Sequence, residues 1–213
     1  MKDIAIVGAG GFARETACLI RKINEQSPTW NLIGFFDSSL AKGTRLEYGP
    51  VLGNDEDLNA YDRELAVAIA IGSPKIVKRL AENLTNKRLS FPNLISPDVT
   101  LYDEQRLSLG RGNIICAQCL ISTNVSLGNF NILNCHVIVG HDAQLGDCNA
   151  LMPSVNISGG VHIGNENYFG VAAAVLPGLH IGNRTKIGAN STIFQKTRDD
   201  QTYIGNPAYI FTY

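Results

Sequence analysis

From Leu107 to Lys196 the chain divides without a gap into fifteen hexads, beginning LSLGRG, NIICAQ, CLISTN and ending STIFQK. The third position is Leu, Ile, Val or Phe in all fifteen, and the fourth is Gly in eight. A strictly apolar residue every six positions fits neither helix nor simple strand alternation. It fits a short strand followed by a corner, where glycine avoids Cβ clashes. Every third hexad matches more closely: Leu107-Ser-Leu-Gly, Val125-Ser-Leu-Gly, Ala143-Gln-Leu-Gly, Val161-His-Ile-Gly and Leu179-His-Ile-Gly. Asn113, Asn131, Asn149 and Asn167 share that spacing of eighteen. Three hexads therefore close one turn of a triangular solenoid of about five stacked coils. Third positions point to the axis, each burial contributing about 1.5–3 kcal/mol. Second positions point out, so Ser108, Ser126, Gln144, His162 and His180 form a solvated ladder.

Residues 1 to about 90 carry no hexads. "IAIVGAGGFARE" reads as a strand, a glycine turn and a helix start; "LIGFFDSS" as a strand ending at Asp37; "LAVAIAIGSPKIVKRLAENL" as a strand, a turn and an amphipathic helix. Alternating strands and helices predict a small Rossmann-like parallel α/β sheet over 1–90, followed by the solenoid over 91–213. The hydrophobic fraction of 45% is enough for a core, and a net charge of −1 offers no basic surface to nucleic acid. No apolar run approaches the ~18 residues of a membrane span. The opening residues lack a signal-peptide cleavage site. Five cysteines, an odd number, suggest reduced thiols and a cytoplasmic setting.

Two constellations carry chemistry. Gly8-Ala-Gly10-Gly11-Phe12-Ala13 matches G-x-G-x-x-A, in which backbone N–H groups and a helix N-terminus meet a phosphate. Asp37, at the end of the next strand, suits a ribose or base. The domain is short for a dinucleotide fold, so one nucleotide is expected. The second constellation is "HVIVGHDAQLGD", with His136, His141 and Asp142. Imidazole is the natural base near neutral pH, and a neighbouring carboxylate fixes its tautomer. Cys116 and Cys119 have C-x-x-C spacing without a second pair, so no metal is expected. Cys135 and Cys148 are minor candidates for a covalent nucleophile.

The hexad region resembles the hexapeptide-repeat acyltransferases, which implies a left-handed parallel β-helix. The whole chain resembles the subfamily of sialic acid O-acetyltransferases and nucleotide-amino-sugar N-acetyltransferases, on its glycine loop, Asp37 and Asn134-Cys-His-Val-Ile-Val-Gly-His141-Asp142. Phe12 stands where many members carry histidine, and Ser38 where some carry a second aspartate. That resemblance implies catalysis by His141 with Asp142. It also implies an acceptor held by Gly8, Gly10, Gly11, Phe12, Asp37, Ser38, Gly72, Ser73 and Asn134. Acetyl-CoA is the implied co-substrate, with Gly159, Val171 and Ala189 lining its channel. Ala150 stands where a relative's histidine touches the cofactor; the loss implies either weaker coenzyme A affinity or a contact shifted to Asn149. The turn Gly205-Asn206-Pro207-Ala208 is similar to one bordering the same channel. The oxyanion donor is expected among corner N–H groups, Gly159 foremost. The implied assembly is a homotrimer, and the implied reaction N-acetylation of a nucleotide-linked amino sugar. Sugar O-acetylation and non-catalytic nucleotide-sugar binding are the alternatives.

Overall fold

A computed structural model describes residues 1–212. The N-terminal sheet is built from β1 (Lys2–Val7), β2 (Trp30–Phe36), β3 (Arg45–Leu46), β4 (Gly49–Gly53), β5 (Leu65–Ile69) and β6 (Leu89–Ser90), in the order β3-β4-β2-β1-β5-β6. All pairings are parallel except β3 with β4. All five residues of β5 are buried, as expected of a strand covered on both faces. Helix α1 (Gly11–Gln26) buries Ala13, Thr16, Ala17 and Ile20, one face at helical spacing. A short helix α2 (Asp55–Asn59) opens on the capping box of Asn54 and Asp57, and α3 (Pro74–Asn83) buries Val77 and Leu80.

The remainder is a left-handed parallel β-helix of two-residue strands on three faces. Face one carries Leu94–Ile95, Ile114–Ile115, Ile132–Leu133, Ala150–Leu151, Tyr168–Phe169 and Lys186–Ile187. Face two runs from Thr100–Leu101 through Ile138–Val139 to Thr192–Ile193, and face three from Ser108–Leu109 to His180–Ile181. Every coil pairs in parallel with the next at a register of eighteen between Ile114 and Ile187. Third-position residues such as Ile115, Val139, Leu151, Ile157 and Phe169 fill the axis at 0–1% exposure.

The structure adds two things to the sequence reading. One coil precedes the regular hexads that begin at Leu107: Leu94–Ile95 and Thr100–Leu101 are already coil strands. The hexad after Asp98 carries two extra residues, and a 3₁₀ turn at Glu104–Arg106 absorbs them, which breaks the period. The role of the fourth-position glycines also changes. The left-handed backbone falls on the sixth position, where Gln118, Asn124, Phe130, His136, Asp142 and Cys148 have φ of 55–61°. Fourth-position glycines answer a different demand. A Cβ on Gly110 would lie 2.6 Å from the Gly128 carbonyl oxygen, and one on Gly146 2.8 Å from that of Gly164, so stacked coils leave no room for it.

The recurring asparagines form a buried ladder. The side-chain oxygens of Asn113, Asn131, Asn149 and Asn167 accept from backbone N–H groups one coil on, at 2.8–2.9 Å, and Thr185 ends the series. Each thereby satisfies a buried donor inside the solenoid. The α/β domain sits on face one. Ala13, Ala17 and Ile20 of α1 pack with Leu94, Ile114 and Cys116; Val77 and Leu80 of α3 pack with Phe130 and Cys148. Phe12 joins the first of these clusters, so it is partly buried in the seam between the domains.

Phe169→Ala should lower unfolding free energy by about 3–5 kcal/mol in a denaturant titration, since it empties a fully buried axial position. The outward Gln144→Ala should stay within about 0.5 kcal/mol of wild type. Equal effects would refute the assignment of inward and outward positions.

Candidate active site

The glycine loop lies where an open α/β sheet binds ligands. β1 neighbours both β2 and β5, and the chain reverses direction across the sheet at that point, so a crevice opens at the carboxyl ends of these strands. Three connections meet there: Gly8–Gly10 after β1, Asp37 after β2, and 70–73 after β5. Gly8 has φ of 107°, and a Cβ on it would lie 3.0 Å from the Ala70 carbonyl oxygen, so the turn requires glycine. Gly10 and Gly11 face open space. The N-cap residues of α1 and α3, Gly10 and Ser73, make no side-chain cap, and neither first turn holds an acid. Both helix ends thus keep donors and positive dipole ends for an anion. One oxygen of Asp37 accepts from the backbone N–H and hydroxyl of Ser39, at 2.8 and 2.5 Å. Ser38 is exposed beside it, and Gly72 is exposed at the opposite loop.

His141 and Asp142 occupy the corner between faces two and three. Nδ1 of His141 lies 2.7 Å from Asp142 Oδ2, and both side chains are more than half exposed. The amide of Asn124, one coil earlier, donates to Asp142 Oδ1 at 2.7 Å. That amide, then the imidazole, holds the Asp142 carboxyl below the usual carboxylate range. The carboxylate accepts a hydrogen bond from Nδ1–H, the tautomer that leaves the Nε2 lone pair as a base. The pairing persists as pH falls until it drops through that depressed value. One coil further on, Gly159 has no Cβ, and the imidazole occupies the space a Cβ would take. The Gly159 N–H has no acceptor among the described residues, whereas Gly160 N–H donates to the His141 carbonyl at 2.7 Å.

The remaining expected residues fall elsewhere. Asn134, Val171 and Ala189 belong to the corner between faces one and two, and His136 is exposed on that same corner. The Asn134 side-chain oxygen accepts from Cys135 N–H at 2.7 Å. Gly205 and Pro207 lie in the hairpin Thr202–Gly205/Ala208–Ile210 that closes the last coil. Asn149 and Ala150 are each 1% exposed, the former inside the buried ladder. Neither presents a surface to a donor, which corrects the expectation that they touch it. Cys148 is buried in the domain seam, and burial pushes its thiol up to about 12, so it is no nucleophile. Burial likewise raises Cys119 to about 12.

The model of the PglD N-terminal domain matches residues 3–84. A sequence search of curated proteins finds no match. Among solved structures, the chain is similar to PerB from Caulobacter crescentus, determined with CoA and GDP-perosamine: TM-score 0.88 and 27% identity over 100% of this chain and 98% of that one. It is equally similar to the acetyltransferase domain of PglB from Neisseria gonorrhoeae with acetyl coenzyme A, at TM-score 0.89 and 26% identity over 99% of each chain. WeeI from Acinetobacter baumannii matches at TM-score 0.88 and 26% identity, over 99% of this chain and 100% of that one. Over its whole length the chain shares the fold of these hexapeptide-repeat acetyltransferases. The Caulobacter perosamine N-acetyltransferase has also been solved with a histidine replaced by asparagine or by alanine.

Within an acetyltransferase of this architecture, sequence spacing alone separates the expected residues. His141 and Gly159 are one coil apart and share a corner; Val171 and Ala189 share another. The Val171 and Ala189 corner, between faces one and two, is the first corner; the His141 and Gly159 corner, between faces two and three, is the second and lies opposite face one, on which the α/β domain sits. One chain therefore does not bring its glycine loop and its His141 together.

Gly159→Ala should displace the His141 imidazole and shift its ring-proton resonances, with the thermal midpoint little changed because the corner is open. Unaltered histidine resonances would show that the ring does not rest on Gly159.

Proposed function

We propose that the protein is an acetyl-CoA-dependent N-acetyltransferase acting on the amino group of a nucleotide-linked amino sugar, as a homotrimer. The observation that carries this reading is the His141–Asp142 pair on an open corner, with Nε2 free, in a chain that also holds an uncapped glycine loop. Glycine turns and two helix N-termini bind the diphosphate, and Asp37 takes the ribose or base. His141 Nε2 removes a proton from the amine as its nitrogen attacks the thioester carbon. The Gly159 N–H steadies the developing oxyanion, and the C–S bond breaks to release CoA thiolate, which takes up a proton. Asp142 holds the imidazole in the required tautomer and stabilises its cationic form.

Assembly follows from the separation of the two halves. If the second corner of one copy faces the first corner of the next, His141 and Gly159 meet the neighbour's Val171, Ala189 and glycine loop. This contact is head-to-tail, and closure after three copies gives a ring. Exposed apolar side chains support the pairing: Ile138 on face two is 42% exposed and Val171 on the first corner 47%. Face three, by contrast, carries Gln144, His162 and His180 outward.

His141→Ala should lower turnover by about 10²–10⁴, and His136→Ala far less. Equal losses would remove His141 as the base. Acetyl transfer should be much faster to the nucleotide-linked amine than to the free sugar, because remote binding energy is used in the transition state. Equal efficiency with a free sugar, or transfer to a hydroxyl, would overturn the acceptor assignment. Sedimentation of a fully active monomer would overturn the trimer.

A further inference from the structure

The His141–Asp142 pair lies in the open, where ion pairs are weak because water competes and side chains lose entropy in holding one geometry. Both side chains are more than half exposed, yet Nδ1 and Oδ2 stand 2.7 Å apart. Residues 123 and 124, one coil earlier on the same corner, grip Asp142 at two points. The Thr123 carbonyl accepts the Asp142 N–H at 3.1 Å. The Asn124 amide donates to Asp142 Oδ1 at 2.7 Å, the oxygen that the imidazole does not use. Partners on both oxygens fix the rotation of the carboxylate as well as its place.

Thr123 is itself anchored from the first coil. Its hydroxyl donates to Asp103 Oδ2 at 2.9 Å, and Arg106 Nε stands 3.9 Å from the same oxygen. Asp103 precedes the 3₁₀ turn that carries the extra residues of that coil, and Arg106 ends it. A column thus runs along the corner from Arg106 through Asp103, Thr123 and Asn124 to Asp142 and His141. The left-handed backbone at residue 124, with φ of 56°, does not by itself account for an asparagine. Gln118, Phe130, Cys148 and Ala172 hold the same conformation at equivalent positions.

We infer that Asn124 is a positioning residue, a role that rests on His141 as the base: its amide holds Asp142 so that the carboxylate meets Nδ1–H and Nε2 keeps its lone pair. The tautomer of an imidazole is set by the hydrogen bond its other nitrogen makes. The same amide is the foremost cause that keeps the Asp142 carboxyl below the usual carboxylate range, and so keeps the acceptor ionised. Other charged groups at this corner are Asp103, Glu104 and Arg106 on the first coil and Lys196 three coils beyond His141. Between His141 and Lys196 stand Gly159-Gly160 and Pro177-Gly178, which carry no charge.

Two substitutions separate the amide from the backbone. Asn124→Gly keeps the left-handed conformation and removes the donor; Asn124→Asp keeps the size and replaces the donor with a second carboxylate. Asn124→Gly should lower kcat about tenfold or more with both KM values near wild type, because a misplaced base slows the chemistry rather than the binding. Asn124→Asp should lower kcat further near neutral pH and move the acid limb of the kcat profile to higher pH, since a second carboxylate favours the protonated imidazole. Both thermal midpoints should stay within about 5 °C of wild type. Wild-type kcat in both variants, losses confined to KM, or an unmoved acid limb in Asn124→Asp would overturn the role. The ¹⁵N resonances of His141 read the tautomer without any turnover: the proton should sit on Nδ1 in wild type and be shared between the two nitrogens in Asn124→Gly. An unchanged tautomer in Asn124→Gly would sink the role whether or not the protein transfers acetyl. A tautomer that responds in a protein that acetylates no amino sugar would leave the positioning standing and remove the proposed function instead.

Discussion

Everything in this molecule depends on the fixed pitch of the coil. Three hexads close one turn because each third-position side chain must reach the axis and each backbone strand must pair with the one eighteen residues later. The ladder Asn113–Asn131–Asn149–Asn167–Thr185 enforces the same register from inside, since a slip of one residue would leave buried N–H groups unsatisfied. Once the pitch is set, position along the chain becomes position in space. Residues eighteen apart share a corner; residues six or twelve apart do not.

That geometry turns short-range sequence into chemistry. The sixth-position αL backbone at Asp142 sits directly after His141, and the carboxylate meets Nδ1 at 2.7 Å. Such backbone costs roughly 1–2 kcal/mol at a non-glycine residue, which inter-coil hydrogen bonds such as Asp142 N–H to the Thr123 carbonyl help to offset. Gly159, one pitch later, supplies the room the imidazole needs. The α/β domain, held on face one by α1 and α3, places its anion-binding loop beside the first corner. Base and nucleotide loop are thus built on different edges of the prism.

Much of this was legible in the sequence. The hexads, the glycine turn, Asp37 and the His141-Asp142 pair all follow from local spacing. What escaped was whatever a local reading cannot weigh. Two extra residues around Glu104–Arg106 break the hexad period in the first coil, although Ile95 and Leu101 keep the third-position rule. Asn149 recurs with period eighteen, and that recurrence was itself the sign of a buried ladder rather than a donor contact. Phe12, read only as part of the loop, also packs in the domain seam, a contact set by tertiary docking. The division of Gly159 from Val171 and Ala189 was available from arithmetic on the pitch, since 159 and 171 differ by twelve.

The central claim is that each active site joins the second corner of one copy to the first corner and glycine loop of the next. Co-assembly of two inactive variants tests it most directly. His141→Ala removes the proposed base, and Gly11→Glu places a carboxylate in the open space proposed for the diphosphate, at a helix position that tolerates an acid. The account predicts that each homotrimer is nearly inactive, while mixed trimers regain activity at about one interface in three, the one with both halves intact. If mixed trimers form and show no more activity than the sum of the parents, base and nucleotide loop belong to the same chain, and the account is wrong.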